Sequence, residues 1–134
     1  MSDLNVGIVG LGWVAGAHID TFKAVNGANV TAICSRREHN PDDLEEQYGI
    51  PLRSYTNYEQ FIADPDIDII DICTPHPFHP DQAVAAAEAG KHLIIEKPIS
   101  IDYEGAKRIQ SAVNLNGVSV CVCVLNAVLV NISL

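Results

Sequence analysis

Val6-Gly7-Ile8-Val9-Gly10-Leu11-Gly12-Trp13-Val14-Ala15-Gly16, close to the amino end, is the stretch whose reading decides the fold. An uncharged apolar run enters a pair of glycines and leaves them as a helix, the strand-turn-helix context in which a glycine pattern carries meaning. Gly10, Gly12 and Ala15 fit G-x-G-x-x-[GA]. Gly10 permits the tight turn, Gly12 keeps side chains away from an approaching pyrophosphate, and Ala15 is small enough for the helix to lie against the strand. The first backbone N–H groups of that helix would point at the phosphates. The same turn occurs in α/β proteins that bind no dinucleotide, so the rest of the chain has to decide.

Outward from this turn, strand and helix patterns alternate. Ala15, His18, Ile19 and Phe22 recur at helical spacing, and the helix is expected to close near Asn26-Gly27. Residues 29–34 are short, apolar and β-branched, as in a strand buried on both faces. Asn40-Pro41-Asp42-Asp43 opens a second helix with proline at its first position and acids in its first turn; Gly49 closes it. A short helix holds Phe61 and Ile62, and a strand resumes over residues 67–73. Residues 81–89 form an alanine-rich helix capped by Gly90, residues 93–95 another strand, and residues 102–115 a helix capped by Ser100. Residues 118–125 complete the pattern as a strand. This alternation predicts an α/β fold: a doubly wound parallel sheet of six strands in the order 3-2-1-4-5-6, with right-handed crossovers and helices on both faces.

In such a sheet, ligands bind beyond the carboxyl ends of the strands, near the point where strand order reverses. The unusual residues gather there: Gly10 to Ala15, then Ser35-Arg36-Arg37, then Thr74-Pro75-His76-Pro77-Phe78-His79, then Glu96-Lys97-Pro98. An acid at the second tip would accept hydrogen bonds from the adenosine ribose of NAD. Here Ser35 stands in that place with Arg36 behind it, a pair suited to a 2′-phosphate, which points to NADP over NAD. The alternative is that Arg36 and Arg37 form a solvated basic turn. His76 reads as a loop residue, and His18, His39 and His92 receive no functional reading.

The 134 residues suit one domain. Eight Lys and Arg against 17 Asp and Glu give a net charge of −9, which disfavours nucleic acid and anionic membranes as partners. The first residues lack a basic segment followed by an apolar run, so no secretory signal and a cytoplasmic location are expected. Cys34, Cys73, Cys121 and Cys123 lie in apolar runs without C-x-x-C spacing; they read as small buried hydrophobes, and no metal site is expected. Residues 125–134 are apolar but hold Asn126 and Asn131. They read as an added strand or a disordered end rather than a membrane span, and self-association into a homo-oligomer through that apolar edge is expected.

Gly10-Leu11-Gly12-Trp13-Val14-Ala15, Thr74-Pro75 with His79 downstream, Ala89-Gly90-Lys91-His92 and Glu96-Lys97-Pro98, in this order, resemble the glucose-fructose oxidoreductase and inositol dehydrogenase family of NAD(P)-dependent oxidoreductases. Glu-Lys-Pro after Ala-Gly-Lys-His is the specific part, and the resemblance runs over about residues 4–124. It implies a dinucleotide-binding domain over residues 1–124, followed in the family by a substrate domain for a sugar, polyol or related molecule. By this resemblance Lys97 is the catalytic residue, a cation beside the nicotinamide that polarises the substrate oxygen. Gly10, Gly12, Trp13, Val14, Ala15, Ser35, Arg36, Thr74, Pro75, His79, Glu96, Lys97 and Pro98 would bind the cofactor or line its cleft. The Lys97–Pro98 bond tends to be cis in such proteins. Family members run to well over twice this length. Residues 125–134 stand where the entry to the substrate domain is expected, which points to a truncated product or excised domain. A non-catalytic NAD(P)-binding module or sensor is the alternative. A domain for a different nucleotide would keep the glycine loop but leave Glu96-Lys97-Pro98 unexplained.

Overall fold

A computed structural model of the chain describes residues 2–124 and 127–131. Twelve elements follow one another: β1 (Leu4–Val9), α1 (Trp13–Lys23), β2 (Ala28–Cys34), α2 (Pro41–Tyr48), β3 (Arg53–Tyr55), α3 (Tyr58–Ala63), β4 (Ile69–Ile72), α4 (His79–Glu88), β5 (His92–Glu96), α5 (Tyr103–Asn116), β6 (Val120–Val124) and β7 (Ala127–Asn131). The sheet runs β3-β2-β1-β4-β5-β6-β7, so the expected parallel order 3-2-1-4-5-6 is present. β7 adds a seventh strand, antiparallel to β6, in the stretch read as an added strand or a disordered end.

The alternation of side chains divides the sheet between two helical layers. Ile8 pairs with Asp71, Asp71 with Ile94 and Ile94 with Cys121, so these four share one face. On that face Ile8 packs with Ala15 and Ile19 of α1 and Leu44 of α2. Val9, Ile72 and Ile95 turn to the other face and pack with Phe61 of α3, Ala83 and Ala86 of α4, and Ile109 of α5. Phe61 is fully buried, and a Cβ at Gly7 would meet its ring at 2.6 Å, so Gly7 is what lets that ring lie on β1.

Several boundaries move for local reasons. α1 closes at Lys23 rather than at Asn26-Gly27, because Ala24 and Val25 turn their N–H groups back to Thr21 and Phe22. The cap of α5 is Asp102 and not Ser100: the Asp102 carboxylate accepts the Gly105 N–H at 2.7 Å, three residues on, while Ser100 accepts from Asp102 itself. α4 begins at His79, two residues before the expected start, behind a 3-10 turn over His76–Phe78. Among the described residues, no helix is long and apolar enough to cross a membrane.

Candidate functional site: a cleft at the carboxyl ends of the strands

A cleft of about 640 Å³ opens where the order of the sheet reverses between β1 and β4. Its floor is the glycine turn. Gly10 has φ +89°, a conformation that L side chains rarely adopt, and its N–H donates to the Cys34 carbonyl. A Cβ there would stand 2.7 Å from the Cys73 carbonyl oxygen, so only glycine lets β1 turn this close to β4. Gly12 is different. A Cβ there would meet no protein atom within 4 Å, so packing does not demand a glycine; the added atom would occupy the cleft.

Gly12 is also the N-cap of α1, and that helix begins with no side-chain cap and no acid in its first turn. α2, α3 and α5 are instead capped by Asn40, Asn57 and Asp102. Among the described residues no side chain caps the N–H groups opening α1, and the glycine that precedes them lines the cleft. Donors at a helix start beside a glycine that clears the way fit a pyrophosphate, the group for which such turns are built.

At the second tip, Ser35, Arg36, Arg37 and His39 line the cleft. The Ser35 hydroxyl donates to the Arg37 carbonyl at 2.7 Å and lies 3.0 Å from His39 Nε2. A hydroxyl that donates there takes the His39 contact as an acceptor, which draws the imidazole into the same corner. Arg36 and Arg37 are exposed and form no ion pair among the described residues. The far wall holds Thr74 and Pro75, and Thr74 Oγ1 donates to Gln82 Oε1 at 2.5 Å.

Lys97 and Pro98 follow β5 as exposed residues, joined by a cis bond. Behind them lies a buried charge network. His18 of α1 places Nδ1 2.7 Å from Asp71 Oδ2 and Nε2 2.9 Å from Glu96 Oε1. His18 is 8% exposed, Asp71 0% and Glu96 7%. Burial alone would lower the imidazole, but the hydrogen bond and charge of Asp71, then those of Glu96, outweigh it and push His18 up to about 9. The ring is therefore an imidazolium at neutral pH, donating from both nitrogens. Burial works against the Asp71 carboxylate and pushes its value up, and the imidazolium beside it opposes that. Cys73 Sγ lies 3.6 Å from both His18 Nδ1 and Asp71 Oδ1, and Cys123 is opposite Glu96 on β6. His18, Asp71 and Cys73, and likewise His18, Glu96 and Cys123, have donor atoms within 4.8 Å of one another. Both His18 nitrogens are already held by carboxylates.

Of the residues singled out from the sequence, Gly10, Gly12, Ser35, Arg36, Thr74 and Pro75 line one cleft. Trp13 stands exposed at the start of α1, Val14 is half-buried and Ala15 is core, as its role against the strand requires. His79 is fully buried, with Nδ1 2.9 Å from the Pro98 carbonyl and Nε2 2.8 Å from the Thr74 carbonyl; it supports the cleft wall from beneath instead of facing into it. Glu96 likewise points into the His18 network. His18 and His39, given no role from the sequence, belong to the site region, as does Gln82. A charge inside the apolar run Ile69-Ile70-Asp71-Ile72 was the available sign that a buried partner such as His18 exists.

The fold and this cleft define a dinucleotide-binding α/β domain of the doubly wound type. The chain belongs to the oxidoreductase family with an NAD-binding Rossmann fold, the family of the glucose-fructose oxidoreductases and inositol dehydrogenases, whose model matches residues 4–124. It is similar to the levoglucosan dehydrogenase of Pseudarthrobacter phenanthrenivorans, 36% identical over a 121-residue alignment, with 84% of this chain and 31% of that protein covered. It is 30% identical over 115 residues to the inositol 2-dehydrogenase of Salmonella typhimurium, covering 85% of this chain and 34% of the relative. Among solved structures it is similar to a biliverdin reductase from Synechocystis in complex with biliverdin and NADP+. The TM-score there is 0.78 at 28% identity, over 89% of this chain and 37% of that one. The chain thus spans about a third of the length of the proteins it matches.

Proposed function

We propose that residues 1–124 are the cofactor domain of an oxidoreductase that transfers hydride between nicotinamide and a sugar, polyol or related substrate, with NADP preferred to NAD. The observation that carries this reading is the uncapped start of α1 at Gly12, opening into the same cleft as Ser35 and Arg36. Gly10, Gly12 and the first turn of α1 would hold the pyrophosphate. Ser35 and Arg36, with Arg37 and His39 beside them, would hold the 2′-phosphate, for which a guanidinium supplies paired donors. Thr74 and Pro75 would bound the nicotinamide half. The dinucleotide, when bound, supplies the hydride-accepting or hydride-donating carbon. Lys97 would stand beside the nicotinamide as a fixed cation that touches both the bound cofactor and the substrate oxygen, stabilising the negative charge that grows there. The dehydrogenases to which the chain is similar support the substrate class. Self-association belongs to the same reading, supported by β7, the outermost strand of the sheet among the described residues; so does a cytoplasmic location.

Titration of the purified chain with NADPH and NADH, followed by nicotinamide fluorescence, tests the cofactor assignment. Arg36→Ala is expected to weaken NADPH by about tenfold, the loss of one charge-assisted phosphate contact, and to leave NADH within about twofold. Equal loss of both cofactors would refute the preference for NADP, and binding of neither to the wild type would refute the cofactor domain itself.

A further inference from the structure

The Glu96-Lys97-Pro98 segment is held at both ends by histidines, and from opposite faces of the sheet. His18, on α1, bridges the Asp71 carboxylate of β4 to the Glu96 carboxylate that ends β5. His79, at the start of α4, bridges the Thr74 carbonyl just beyond β4 to the Pro98 carbonyl just beyond β5. Each ring thus joins the β4 tip to the β5 tip, one on each side of Lys97. Both rings are buried, at 8% and 0% exposure, and both use their two nitrogens within hydrogen-bond distance. Lys97, between the two anchors, is exposed and has no ion pair or side-chain hydrogen bond among the described residues.

We propose that His18 and His79 are paired positioning residues that fix the Lys97 ammonium relative to the dinucleotide cleft, His18 doing so through Glu96 and His79 through the Pro98 carbonyl. The physical reason lies in what each bridge constrains. A lysine has a flexible stem, so its placement depends on how firmly its own backbone is held. The two carboxylate bonds of His18, and a His79 ring wedged between the Thr74 and Pro98 carbonyls and able to donate to either, oppose sliding of the β5 tip along β4. His18 adds a third element: it sits on α1, whose N-cap Gly12 lines the cleft, so the phosphate end and the Lys97 end become one rigid unit. A neutral amide in its place could satisfy one carboxylate, not both. The groups facing His18 are Asp71 on β4, Cys73 just after it, Glu96 on β5 and, beyond Glu96, Cys123 on β6.

This rests on the proposed cofactor domain, and the test separates the two. NADPH reaches both halves of the cleft, whereas 2′,5′-ADP needs only the adenosine end at Ser35 and Arg36. His18→Gln and His79→Gln are each expected to weaken NADPH by about tenfold and to leave 2′,5′-ADP within about twofold, since misplacing one contact carries a penalty of that order. A double-mutant cycle with Lys97→Met then asks whether the histidines act through the lysine. In the Lys97→Met background the further loss from either histidine change should shrink to about twofold. Equal weakening of both ligands, or additive losses in the cycle, would overturn the proposal and leave the histidines as general scaffold. Nitrogen-15 spectra of the unaltered chain at neutral pH give a check that no variant's folding can spoil: His18 should show both ring nitrogens protonated, and a neutral ring would overturn its role. Wild-type protein that binds neither probe would instead bring down the cofactor reading, and this inference with it.

Discussion

The His18 network makes stability depend on pH in a window that few other groups share. The imidazole sits near 6.5 when unfolded and at about 9 when folded, so between those values the folded chain holds a proton that the unfolded chain has released. The sign follows from linkage. A raised value means that the stabilisation is complete below pH 6.5 and is lost as pH climbs through about 9. The slope in that window approaches about 1.4 kcal/mol per pH unit, and the whole shift corresponds to about 3 kcal/mol, an upper bound that residual water at the ring trims to about 2. Urea unfolding of the wild type, repeated from slightly acid pH to just below 9, should show that fall. His18→Gln should start lower, because two buried carboxylates lose their cation, and should lack the part of the fall that ends near pH 9, any remaining slope coming from the buried Asp71 carboxyl at lower pH. Staying below pH 9 matters, since burial pushes the Cys34 and Cys123 thiols up to about 11 and their linkage begins where unfolded thiols ionise. Parallel curves for wild type and variant would refute the claim that the proton is held by His18.

Two further substitutions test the turn and the frame behind it. Gly10→Ala forces a Cβ to 2.7 Å from the Cys73 carbonyl oxygen at a φ of +89°, and should cost about 3 kcal/mol by thermal unfolding while weakening NADPH. Little change in melting temperature would mean that β1 and β4 can part at no cost. Lys91→Met removes a buried ammonium that donates to the Asp64 carbonyl at 2.7 Å and the Ile67 carbonyl at 2.6 Å; a loss of about 3 kcal/mol in urea unfolding is expected, with both carbonyls left short of a donor. An unchanged unfolding midpoint would show that water replaces the ammonium freely.

The sheet was legible because its strands are buried on both faces and so read as unbroken apolar runs between helices of ordinary length. The glycine turn was legible for a related reason: Gly10 and Gly12 answer to local geometry, one to a positive φ and the other to open space, and local geometry is what a short motif records. Lys91 shows where local reading stops. Its segment was recognisable, but its function as a buried donor to carbonyls 24 and 27 residues away was not. His18 is the sharper case, since its spacing on α1 is that of an ordinary core position and its partners lie 53 and 78 residues further along. His79 misled in the opposite direction: a histidine beside a cleft motif suggested a cleft residue, whereas both its nitrogens serve backbone carbonyls. The cap of α5 went to Asp102 because an Asx side chain reaches a donor three residues ahead, and Ser100 lay too far back to do so.

The carboxylates around His18 also bear on the redox behaviour of the chain. Burial, then Asp71, holds the Cys73 sulfur protonated; burial, then Glu96, does the same for Cys123. Only a thiolate attacks a disulfide, a peroxide or an alkylating reagent with useful speed, so half-exposed sulfurs in this electronegative setting are poor nucleophiles. The acids that orient the imidazolium therefore double as chemical protection, letting the Cys73 thiol line the cleft without becoming a target for oxidants that enter it.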